Sequence, residues 1–119
     1  MAELPRGALG QLRRATRELK GLTGIALPAR YDELSTRQRA SVRDEYVERQ
    51  NGLCYHCKVE LHGPPTADME ACVIDWSRFP SGRSFLSHPV HLHHCHDTGL
   101  TIGAVHALCN AILWQYHGE

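Results

Sequence analysis

Two ligand pairs with the same two-residue gap, Cys54-x-x-Cys57 and His106-x-x-Cys109, constrain the fold of this chain more than any other feature. Thiolate and imidazole bind zinc, and a gap of two residues lets both side chains of a tight turn reach one ion. Together the pairs make a Cys₃His set, the closed tetrahedral donor set of a structural zinc. Such a clamp ties two segments distant in sequence to one point. The composition calls for it: with 2 Phe, 2 Trp, 10 Gly and 9 His in 119 residues, the core is lean enough to need a metal staple. The cysteine count of 5 is odd, which argues against a secreted disulfide framework and for an intracellular metal site. A redox dithiol at Cys54 and Cys57 would need a thioredoxin-like strand–helix context, which is lacking. Cys72 and Cys95 read as small buried side chains, with Cys95 on the strand face opposite His94.

The length allows one domain, organised as a basic helical arm and connector over residues 1–34 and a zinc-stabilised unit over 35–119. With no N-terminal apolar run and no long apolar segment, neither a signal peptide nor a membrane span is expected, and the expected compartment is the cytoplasm. Formal net charge is zero but unevenly spread. Residues 1–30 carry Arg6, Arg13, Arg14, Arg17, Lys20 and Arg30 against Glu3 and Glu18, while residues 50–119 are acidic and rich in histidine. A basic arm suits a phosphate backbone and an acidic, histidine-rich half suits cations. Arg13, Arg14 and Arg17 are therefore candidate DNA contacts, with a solvated helix face as the competing reading.

Local signals place the elements. Leu9, Leu12, Thr16 and Leu19 recur at helical spacing behind Pro5. A second helix opens at Ser35, with Gln38 completing a capping box, and stops at Asn51-Gly52. Its Arg37, Arg39, Arg43 and Arg49 alternate with acids and read as a solvated face. Residues 62–89 read as an insertion with a strand-like piece over residues 71–76. Residues 90–95 and 100–105 read as strands joined by an Asp97-Thr98-Gly99 turn, and residues 107–116 as a closing helix. The fold class expected is thus small α+β, with N-terminal helices before a strand–loop–strand–helix unit. Within that unit His93, His94 and His96 cluster on the first strand and Asn110 follows the last zinc ligand. His91, one strand step before His93 on the same face, reads as a surface histidine, and Asn110 also reads as a helix-start residue making local hydrogen bonds.

The segment HLHHCHDTGLTIGAVHALCN resembles the His-Asn-His (HNH, or His-Me finger) endonucleases, closest to the phage recombination endonuclease VII type. That type reads Asp-His-x-His-x-Thr-Gly, then a strand with Arg-Gly, then Cys-x-x-Cys-Asn opening a helix. The match runs from His93 to Asn110, with Cys54-x-x-Cys57 standing for the first zinc pair, and covers about half the chain. The resemblance implies a zinc-clamped ββα-metal motif. It also implies His94 as general base, His96 beside the scissile phosphate, His93 and Asn110 on a catalytic divalent ion, and Cys54, Cys57, His106 and Cys109 on structural zinc. His93 stands in place of the usual Asp, which shifts the expected catalytic ion from Mg²⁺ toward Mn²⁺, Ni²⁺, Co²⁺ or Zn²⁺. His106 stands in place of the usual Cys of the second zinc pair, and two other departures are Ile102 in place of a DNA-contacting Arg and Trp114 where the colicin nucleases carry a third ligand. The implied activity is one-metal hydrolysis of DNA phosphodiesters by a phage-encoded enzyme, leaving 5′-phosphate and 3′-hydroxyl ends. A catalytically inactive, zinc-stabilised DNA-binding module of a phage packaging or recombination assembly is the alternative.

Overall fold

A computed structural model describes residues 24–118, so Arg13, Arg14 and Arg17 of the basic arm lie outside the described residues. In chain order the main elements are helix α1 (Thr36–Arg49), a one-turn helix α2 (Ala67–Glu70), strands β1 (Val90–His94) and β2 (Thr101–His106), and helix α3 (Ala107–His117). Short 3-10 turns occupy Tyr31–Glu33, Trp76–Arg78 and Gly82–Leu86. No described helix is long and apolar enough to cross a membrane.

Helix α1 begins where its capping residues dictate. The Ser35 hydroxyl accepts from the Gln38 N–H at 3.2 Å, and the Gln38 side-chain oxygen accepts from the Ser35 N–H at 2.9 Å. Two otherwise unsatisfied donors are thereby paired. Asn51 and Gly52 end the helix by turning left-handed, with φ of 57° and 75°. The buried face carries Val42, Glu45 and Tyr46, and the Glu45 carboxylate lies 3.3 Å from the Arg49 guanidinium. Tyr46 reaches across to the sheet, its hydroxyl 2.8 Å from Thr101 Oγ1.

The hairpin is antiparallel, with Val90 opposite His106, Leu92 opposite Ala104 and His93 opposite Gly103. The next residue, His94, faces Thr101, so Ile102 is bulged out of register. The turn closes through the Gly99 N–H to the Cys95 carbonyl at 2.7 Å, with Gly99 at φ 76°. Residues assigned by sequence to the connector also join the sheet: Thr101 N–H donates to the Ala29 carbonyl, and Tyr31 N–H to the Gly99 carbonyl, both at 2.8 Å. Cys95 falls just past the end of β1 and is only half-buried, not a core residue.

Val42, Tyr46, Leu61, Ala104, Val105 and Leu113 form the core around Cys54 and Cys109. Each large side chain buried this way contributes about 1.5–3 kcal/mol. Gln50 joins the end of α1 to β2, donating from Nε2 to the Ala104 carbonyl and accepting from the Ala104 N–H, each at 2.8 Å. The close approach requires glycine at position 103: a Cβ there would lie 2.7 Å from Gln50 Oε1 and 3.1 Å from Tyr55 Cβ. Gly103→Ala should therefore cost about 1–3 kcal/mol, read as a lower thermal midpoint in zinc-loaded protein.

The strand expected over residues 71–76 is not formed. The stretch over residues 71–75 instead links the end of α2 at Glu70 to the 3-10 turn that begins at Trp76. Side chains of α3, not a neighbouring strand, take its backbone groups: Gln115 Nε2 donates to the Val73 carbonyl at 3.1 Å, Tyr116 donates its hydroxyl to the same oxygen, and Asp75 N–H donates to Gln115 Oε1 at 2.9 Å. An aromatic cluster anchors the segment, with the buried Phe79 ring 4.4 Å from Trp114, 5.3 Å from Trp76 and 5.0 Å from Phe85.

Candidate metal centre and cavity

Cys54 and Cys57 sit on a tight knuckle. The Cys54 N–H donates to the Val59 carbonyl at 2.8 Å, the Lys58 N–H donates back to Cys54 at 3.0 Å, and Lys58 takes a left-handed φ of 68°. His106 ends β2 and Cys109 lies in the first turn of α3, so the strand–helix junction presents the second pair. The four ligand atoms all lie within 4.8 Å of one another. His106 Nδ1 is 3.3 Å from Cys57 Sγ and 3.7 Å from Cys109 Sγ. Its Nε2–H donates to the Glu60 carbonyl at 2.8 Å, which leaves the Nδ1 lone pair facing the sulfurs. A hydrogen bond from the Cys109 thiol holds Cys54 down to about 4, helped by backbone N–H groups of Cys57, His106 and His56, and the same contact pushes Cys109 up. These four residues make a cluster that can hold a metal ion such as zinc, and the donor set fits that ion's closed structural sites.

A cavity of about 810 Å³ lies beside the hairpin. Val90, Leu92 and His94 line it from one face of β1 and His91 from the other. Residues of both faces reach one space because it runs along the edge of β1 that carries no strand among the described residues. Helix α1 contributes Arg39 and Arg43 to one wall, and α3 contributes Asn110 and Trp114, one turn apart, to the other. Phe85 and His88 of the former insertion also line the cavity.

Within it His94 is stacked on the Tyr31 ring at 3.9 Å and 9°, and its other close ring neighbour is His96 at 4.9 Å. The Arg39 guanidinium covers Tyr31, 3.9 Å from the ring centroid, and forks onto the Tyr31 carbonyl at 3.0 and 3.2 Å. Burial, then the nearby His96, His93 and Arg39, holds the His94 imidazole down to about 4. His91 is likewise held to about 4, chiefly by burial. Both rings are neutral at pH 7.

Three of the four residues that the resemblance assigns to catalysis, His94, His96 and Asn110, therefore share one cavity. His93 is only 2% exposed and is not among the lining residues. Asn110 Nδ2 instead lies 3.1 Å from His91 Nδ1. Sequence reasoning missed Arg39, Arg43, His88 and Tyr31. The arginines alternate with acids along α1 and so read as solvated, whereas Arg43 is half-buried with Nη1 3.2 Å from His88 Nε2. The one available signal was position: Arg39 and Arg43 are four apart and share a helix face. Scanned against family models, curated proteins and solved structures, the chain matches none.

Proposed function

We propose that this protein is a metal-dependent endonuclease of the HNH type that hydrolyses DNA phosphodiesters. The observation that supports this reading best is the shared cavity, where His94, His96 and Asn110 stand with Arg39 and Arg43, Asn110 following Cys109 of the Cys/His cluster. A neutral His94 has a free ring nitrogen to accept the proton of an attacking water. His96 would donate a ring N–H to a nonbridging phosphate oxygen as charge builds there. Arg39 and Arg43 bring positive charge toward phosphate oxygens, in place of the DNA-contacting Arg that Ile102 displaces in sequence. A divalent ion bound beside Asn110 would supply Lewis-acid stabilisation of the leaving 3′ oxygen. The stack of His94, Tyr31 and Arg39 keeps the base ring in one orientation, so positioning is built into the fold.

Supercoiled plasmid incubated with Mg²⁺, Mn²⁺, Ni²⁺, Co²⁺ or Zn²⁺ tests the proposal. The expected products are nicked or linear DNA with 5′-phosphate and 3′-hydroxyl ends, formed only with added ion. Binding without cleavage under every ion would fit the inactive zinc-stabilised module instead. Arg43→Ala should weaken DNA binding and lower the salt slope by about one unit, with zinc content unchanged. An unaltered slope would return Arg43 to a structural role with His88.

A further inference from the structure

His91 and His93 lie on the same face of β1, opposite Val105 and Gly103 respectively. The Asn110 amide lies against His91, with Asn110 Nδ2 3.1 Å from His91 Nδ1. Two donors bound at about 2.1 Å and a right angle to one ion are about 3 Å apart. The pair already has that spacing once the amide presents its oxygen, a rotation about a broad terminal torsion. The His91 ring is held from outside the pair by the Phe85 ring, edge-on at 4.6 Å. His91 opens onto the cavity that contains His94 and His96, whereas His93 is buried beside it.

We propose that His91 and Asn110, not His93 and Asn110, hold the divalent ion of this cavity. The assignment rests on the nuclease reading. It makes β1 present the ion's imidazole from one face and the base His94 from the other, both at the open strand edge. His93 is then a buried residue of the sheet. Imidazole with an amide oxygen suits Mn²⁺, Co²⁺ or Ni²⁺ better than Mg²⁺.

The test is Mn²⁺ uptake by zinc-loaded protein, followed by electron paramagnetic resonance of the free ion, so that the readout does not depend on turnover. Wild type should bind one Mn²⁺. His91→Ala and Asn110→Ala should weaken it by about tenfold or more, and His91→Asp should restore it. His93→Gln and His93→Leu, which keep the buried site filled, should bind Mn²⁺ like wild type. If both His93 variants misfold, the comparison of His91→Ala with His91→Asp decides. Loss of Mn²⁺ in a folded His93→Gln protein, or unchanged uptake in His91→Ala, overturns the assignment while leaving the nuclease reading intact if wild type still nicks plasmid. A wild type that neither binds Mn²⁺ nor nicks plasmid with any ion sinks both.

Discussion

Stripping the metal from the cluster of Cys54, Cys57, His106 and Cys109 should unfold the domain, not merely silence it. The cluster joins the knuckle after α1 to the junction of β2 and α3, and its members Cys54 and Cys109 sit inside the hydrophobic core. Structural zinc contributes an apparent 10–16 kcal/mol in zinc-finger peptides, roughly as much as the whole stability of an ordinary domain, about 5–15 kcal/mol. The small core around it cannot cover that loss. Without the ion, the sulfurs of Cys54, Cys57 and Cys109 would stand close together with no cation between them. Cys57→Ser and Cys109→Ser should show the same collapse in far-ultraviolet circular dichroism, and metal analysis should find about one zinc in wild type. Cys72→Ser and Cys95→Ser should keep both fold and zinc, since neither thiol belongs to the cluster. A cooperatively folded, zinc-free Cys109→Ser protein would remove the metal from its structural role.

The second large effect concerns His94. Replacing a general base costs about 10²–10⁴-fold in rate, so His94→Ala should be nearly inactive while it still binds DNA. The wild-type rate should fall as pH drops through the ring's titration, because a protonated imidazole cannot accept the water's proton. Burial, then the nearby His96, His93 and Arg39, hold that titration near pH 4 in the free protein. A phosphate entering the cavity brings negative charge beside the ring and moves the titration up, while the divalent ion opposes that shift. The acid limb of the pH profile should follow the His94 titration and vanish in His94→Ala. A variant with wild-type rate and the same acid limb would take the base role away from His94.

The parts of this fold that were legible in sequence are those set by local or position-specific chemistry. Ser35 with Gln38 marks the start of α1, Asn51-Gly52 its end, and Asp97-Thr98-Gly99 the hairpin turn, each through backbone preferences that need no distant partner. The four residues of the cluster that can hold a metal were legible because thiol and imidazole at that spacing have few other uses. Tertiary packing hid the rest. Residues 71–76 look strand-like, yet their carbonyl and amide partners are Gln115 and Tyr116 on α3, far along the chain. His91 looks like a surface residue until Phe85 folds against it. Arg39 and Arg43 carry the charge pattern of a solvated face, and only the placement of α1 over the open edge of β1 turns them into a cavity wall.

The most direct measurement is single-turnover cleavage of end-labelled duplex DNA by wild type and His94→Ala, both of verified zinc content and matched DNA occupancy, with and without added Mn²⁺. The account predicts Mn²⁺-dependent cleavage by wild type, and a rate lower by about 10²-fold or more in the variant at equal binding. Equal rates in the two proteins, or no cleavage by a zinc-loaded wild type that binds the duplex, would contradict it.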